Sequence, residues 1–152
     1  MGVPKEAIDR ILPGLDSSAP EQGLNIGRLL KHSHTWFTIL GSLGICARAQ
    51  INRFYDANLC ADLYSAVTGI DTNSEALIRR AERAWTLLRM ANVREGYTKK
   101  DETIPEQWFG ESGFKNYLTE NPITRKEVEK MIEDYYDEWG WDVRTGVPKE
   151  KG

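Results

Sequence analysis

Apolar residues recur at spacings of three and four along several stretches of the chain, which is the period of an amphipathic α-helix. Residues 2–14 predict a short first helix, with Pro4 in its first turn and Pro13-Gly14 as its stop. Residues 24–40 predict a second helix, and its apolar positions are Leu29, Leu30, Trp36, Phe37 and Leu40. The glycines of Gly41-Ser42-Leu43-Gly44 then predict a turn or a close approach of the backbone.

Residues 56–67 predict a third helix that ends in a left-handed cap at Gly69. Its predicted buried stripe is Leu59, Leu63, Ala66 and Val67. Thr72-Asn73-Ser74-Glu75 has the spacing of a capping box and predicts a fourth helix that extends to about Asn92. The apolar stripe of this helix is Leu77, Ala81, Ala84, Trp85, Leu88 and Ala91. Its predicted solvated positions include Arg79, Arg80, Arg83 and Arg89.

Residues 94–121 are polar and rich in glycine, and they predict a long ordered loop. Its expected anchors are Tyr97, Ile104, Trp108 and Phe109. A second capping box, Thr124 to Glu127, opens the last helix, which Gly140 ends. The predicted stripe of this helix is Val128, Met131, Ile132, Tyr135, Tyr136 and Trp139. No segment alternates convincingly with period two, so the predicted fold class is all-α, an irregular helical domain of about five helices.

Size and charge limit the possible functions. The chain has 152 residues, 40% of them hydrophobic, which suits one domain over residues 1–152. A net charge of -3 argues against nucleic-acid binding. No apolar run approaches the roughly 20 residues that span a bilayer, and the first residues carry no apolar signal segment. The sequence therefore predicts a soluble, cytoplasmic protein that binds neither membrane nor nucleic acid.

The two cysteines, Cys46 and Cys60, belong to no CxxC pair, so neither a zinc site nor a disulfide framework can be built from them alone. A metal ligand among them would need partners elsewhere. Each is otherwise interpreted as a small buried hydrophobe. His32 and His34 lie on different faces of a helix and cannot clamp one metal ion.

Three stretches resemble one enzyme family. Residues 41–46, GSLGIC, resemble its Asp-x-x-Gly-Leu-Cys motif, and residues 83–106 are similar to a block of the form NVREG-aromatic-TRKDD-x-LPER. Residues 135–142 and 145–148 resemble its closing YYxxRGWD and TGxP. In this order they cover nearly the whole chain and resemble the C-terminal helical domain of the tungsten-containing aldehyde ferredoxin oxidoreductases.

The resemblance implies oxidation of aldehydes to carboxylic acids, with electrons passed to ferredoxin through a 4Fe-4S cluster beside a tungsten or molybdenum bis-pterin. It maps Cys46 onto the fourth cluster ligand, whose three companions come from a CxxCxxxC run that is absent from this sequence. It therefore also implies a partner, the upstream domains or subunit of the same enzyme. The isolated chain is expected to bind neither cofactor and to be inactive alone. The implied cofactor-binding residues are Gly41, Gly44, Ile45, Cys46 and Ala47.

Elementary chemistry supports this assignment, because a thiolate at the end of a glycine-bearing turn can reach iron and small residues let backbone amides approach an anionic cofactor. Gly41, however, replaces the family's Asp and offers no hydrogen-bond acceptor to a pterin. Leaving such a donor without its partner costs about 1–3 kcal/mol. An alternative function is therefore a cofactor-free helical remnant that acts as a binding or structural protein. No catalytic residue is predicted.

Overall fold

The computed structural model describes residues 25–48, 55–115 and 120–149. Within these ranges the chain forms four α-helices and no strand, so the all-α prediction is confirmed. The helices are α1 (Ile26–Ser42), α2 (Ala57–Thr68), α3 (Ser74–Arg94) and α4 (Arg125–Trp139). Two short 3-10 helices, Lys99–Asp101 and Glu106–Trp108, lie in the loop before α4. The predicted first helix, residues 2–14, lies outside the described residues.

Each α-helix begins at a polar side chain that accepts a hydrogen bond from the backbone N–H three residues later, which satisfies one free donor of the first turn. These N-caps are Asn25, Asp56, Asn73 and Thr124. The capping box at Thr124 is confirmed, since the Glu127 carboxylate also accepts from the Thr124 N–H at 2.7 Å. The box predicted at Thr72 is wrong, because Asn73 caps α3 while Thr72 is buried and its N–H donates to the Ser65 hydroxyl.

The described residues fall into two compact units, 32–48 with 55–89 and 25–31 with 90–115 and 120–149. The prediction of a single domain over residues 1–152 stays a prediction. The first unit has a core to which α1, α2 and α3 each contribute two buried residues. They are Ile39 and Leu40, Cys60 and Ala61, and Leu77 and Ala81.

The face of α2 that the sequence assigned to the core is the wrong one. We call Leu59, Leu63, Ala66 and Val67 the outer face of α2. Its members are exposed, Leu59 to 40%, Leu63 to 44% and Val67 to 84%. The buried residues of the helix are instead Cys60 and Ala61, whose small side chains let α2 lie close to its neighbours.

The buried face of α3 also departs from the predicted stripe. Leu77 and Ala81 are buried, but the stripe then leaves the core, and Ala84, Leu88 and Ala91 are exposed. Burial instead follows the row of every fourth residue through half-buried Trp85 to Arg89, which is 7% exposed. A row of this kind runs obliquely across a helix. It therefore carries Arg89, predicted to be solvated, into a buried position.

In the second unit α1 and α4 approach each other at Gly27. A Cβ on this residue would lie 2.5 Å from the Asp134 carbonyl carbon and 2.8 Å from the Tyr135 Cα. Beside this point the Arg28 guanidinium pairs with the Glu138 carboxylate at 2.5 Å. The Lys31 ammonium donates to the Glu138 carbonyl at 2.8 Å. The predicted stripe of α4 is confirmed, because every member is buried or half-buried.

The long loop predicted between the last two helices is partly regular. Thr98 and Asp101 form a reciprocal cap around the first 3-10 helix, and the Trp108 and Phe114 rings meet edge to face with centroids 4.5 Å apart. Of its predicted anchors, Ile104 and Phe109 are half-buried. Tyr97 and Trp108 are each 39% exposed. Within the described part of the chain, no helix is long and apolar enough to cross a membrane.

The contact at Gly27 leads to a testable prediction. Gly27→Ala should lower the free energy of unfolding by about 1–3 kcal/mol, because the new methyl group meets backbone atoms that cannot rotate away. Gly41→Ala is the matched control, since this helical glycine has open space and should gain up to about 1 kcal/mol. Urea unfolding of both variants measures the difference. Equal effects would show that the close approach does not limit stability.

A second prediction concerns pH. The His34 ring lies against Trp85 with centroids 4.5 Å apart, and burial lowers its pKa below the ordinary value of 6.5. At His34 the folded state therefore binds fewer protons than the unfolded chain, so the contribution of this group to stability should be constant above about pH 6.5 and fall as the pH drops below it. Unfolding midpoints at several pH values test this. His34→Gln should remove this part of the pH dependence, whereas exposed His32→Gln should leave it in place.

Candidate functional site

The predicted site lies where α1 ends, and its geometry is set by one glycine. Gly44 has a φ of 70°, in the left-handed region that side chains with a Cβ rarely adopt. Its N–H donates to the Gly41 carbonyl at 3.2 Å, and the Ile45 N–H donates to the Leu40 carbonyl at 2.9 Å. This pair of bonds is the Schellman motif, which ends a helix at a residue in the left-handed conformation.

The turn separates the predicted site residues by exposure. Ile45 packs against the core that contains Leu40, which supplies the apolar contact that accompanies this motif. Cys46 and Ala47 follow directly and are exposed. Gly41 is also exposed, but it lies inside the last turn of α1, and a Cβ there would meet nothing within 4 Å. The structure thus brings Gly44, Ile45, Cys46 and Ala47 together in one turn and places Gly41 on the preceding helix.

The two cysteines occupy opposite environments. The Cys46 thiol is exposed, so the interpretation of Cys46 as a small buried hydrophobe is wrong. The Cys60 side chain is fully buried in the core, as predicted. Burial raises the pKa of the Cys60 thiol, and the nearby Asp56 carboxylate raises it further. Of the two thiols, only Cys46 is therefore available to an external metal or cluster.

No complete set of metal ligands surrounds Cys46 within residues 25–48, 55–115 and 120–149. These residues contain no cluster of three or more His, Cys, Asp or Glu side chains that is arranged to hold a metal ion. Cys46 can therefore supply one ligand, while any others would have to come from outside the described part of the chain. A surface thiol on a fixed turn is suited to this role, because it needs no rearrangement to reach an incoming iron atom.

The second family-like stretch contains a cap of the same type. Gly96 has a φ of 92°, the left-handed conformation of a helix cap. The Gly96 N–H donates to the Val93 carbonyl at 3.0 Å, and the Tyr97 N–H donates to the Asn92 carbonyl at 2.9 Å. Arg94 and Glu95 are exposed and pair with each other at 3.3 Å. This stretch closes α3 and redirects the chain into the long loop.

The third stretch closes α4 in the same way and adds an aromatic cluster. The Trp141 N–H donates to the Tyr136 carbonyl at 2.9 Å across Gly140, and the Trp139 and Trp141 rings stack with centroids 5.4 Å apart. Tyr136 is fully buried, and its hydroxyl donates to the Glu102 carboxylate, which ties the long loop to α4. Tyr136 and Trp139 are buried, as the predicted stripe requires, and Trp141 is buried beside them.

Asp142 holds the segment that follows α4. Its carboxylate accepts hydrogen bonds from the hydroxyl and the N–H of Thr145, and these bonds lower the pKa of the carboxyl group. The Asp142 N–H donates to the Val147 carbonyl at 2.8 Å, and Trp141 pairs with Pro148 in an isolated bridge. The roles of these residues are therefore structural, and Asp142 is not directed into a cofactor site by any described contact.

Sequence reasoning missed that all three stretches share one local structure. In each, a glycine with positive φ is followed at once by a large apolar or aromatic residue, namely Ile45, Tyr97 or Trp141. That succession was a readable signal, because the residue after a Schellman glycine commonly packs back on the helix. The stretches therefore resemble one another as glycine caps of helices, and only the first of them carries an exposed thiol.

Comparison with known proteins places these observations in a family. The family described as aldehyde ferredoxin oxidoreductase, domains 2 & 3, matches residues 5–152. No curated protein sequence and no solved structure gives a significant match. The family match covers all three glycine-capped stretches, including the turn that carries Cys46.

The cap at Gly44 is testable without any cofactor. Gly44→Ala should lower the free energy of unfolding by about 1–2 kcal/mol, because a residue with a Cβ is strained at this φ although the space around it is open. Gly44→Asn should cost less, since asparagine adopts the left-handed conformation more readily. Urea unfolding of the two variants provides the measurement. A larger loss for asparagine than for alanine would contradict a purely conformational role.

Proposed function

Because the chain belongs to the aldehyde ferredoxin oxidoreductase family, we propose that it forms the C-terminal helical part of such an oxidoreductase and is inactive alone. The observation that carries the proposal is the exposed Cys46 thiol on a glycine-capped turn. In the complete enzyme, a tungsten or molybdenum bis-pterin would accept the two electrons released when an aldehyde and water are converted to a carboxylic acid and two protons, and a 4Fe-4S cluster would relay these electrons to ferredoxin.

The task of the described residues is to present one thiolate in a fixed position. Two backbone hydrogen bonds and the inward Ile45 side chain hold the turn, so Cys46 leaves it toward solvent. Preorganisation of this kind avoids the entropic cost of ordering a ligand when the cluster binds. Cys60 is excluded from this role because its side chain is packed among Ile39, Leu40 and Leu77. The remaining three ligands would come from the upstream domains or subunit of the enzyme.

The described residues fit a pterin less well than they fit a cluster. Gly41 has no side chain to accept hydrogen bonds, and no side chain packs against the position that its Cβ would occupy. A pterin amino group that faced this position would lose a charge-assisted acceptor, which typically contributes about 1.5–3 kcal/mol. We therefore assign no pterin contact to Gly41, and no chemical step of this proposal runs through it.

Gly41 also supports a second candidate function, a helical remnant without cofactors that acts as a binding or structural protein. The two functions differ in what depends on Cys46. An oxidoreductase part requires its thiol for iron retention, whereas a remnant does not. The two functions are therefore distinguished by whether iron retention depends on the Cys46 thiol.

The decisive experiment measures iron. The chain is co-expressed with the polypeptide that carries the upstream domains, and the purified complex is analysed for iron content and for visible absorption of a 4Fe-4S cluster. Cys46→Ser should remove most of the iron, because a serine hydroxyl is a poor ligand compared with a thiolate. Cys60→Ala is the matched control. It removes a thiol from the core, so it should lower stability slightly and leave the iron content unchanged.

Retention of the wild-type iron content and spectrum by Cys46→Ser would refute the proposed role of Cys46. A stable complex that contains no iron in the wild type as well would favour the remnant. Far-UV circular dichroism of both variants distinguishes ligand loss from unfolding, since Cys46 is exposed and its replacement should leave the helices intact.

A further inference from the structure

We draw no further inference here: the strongest candidate, the patch of exposed apolar side chains on the outer face of α2, carries no proposal because nothing in the described part of the chain shows what covers it.

Discussion

A glycine in the left-handed conformation ends each of the four described helices, at Gly44, Gly69, Gly96 and Gly140. After Gly44, Gly96 and Gly140 the next residue donates its N–H to the carbonyl five residues back. The side chain of Ile45, which follows Gly44, packs on the core, and that of Trp141, which follows Gly140, contacts Tyr136 of α4. The helix end and the direction of the following segment are therefore set together. At α1 this arrangement turns Ile45 inward and leaves Cys46 outside, so the chemistry proposed for the chain depends on a backbone constraint at Gly44, two residues before the thiol.

The packing of the first unit connects this turn to the outer face of α2. Cys60 and Ala61 lie in the same core as Leu40, the residue whose carbonyl accepts the closing hydrogen bond of the turn. Small side chains on the inner side of α2 permit close packing there, and the large apolar side chains are consequently on the outside. The turn that carries the proposed cluster ligand and helix α2 therefore belong to one packed unit.

Local features of the fold could be predicted from the sequence to within a few residues. The caps at Gly69, Thr124 and Gly140 were found because each depends on atoms within one helical turn. The capping box at Thr72 was wrong for a tertiary reason, since Ser65 on the preceding helix engages Thr72 and leaves the capping position to Asn73. At the candidate site, the resemblance led to the turn and to Cys46, but it could not show that the thiol is exposed or that the space around Gly41 is open.

The sequence by itself determined the helical class, the family and the glycine turns, because helical periodicity and capping hydrogen bonds involve residues close together in the chain. Only the tertiary structure decided which side of each helix is buried. Periodicity identifies apolar positions, but α2 has apolar residues on more than one side. The buried residues are Cys60 and Ala61, because their small side chains allow close helix packing. On α3 the oblique packing row carried Arg89 inward and left Leu88 outside. Which side of a helix is buried depends on contacts between helices, and the residue pattern of a single helix does not show these contacts.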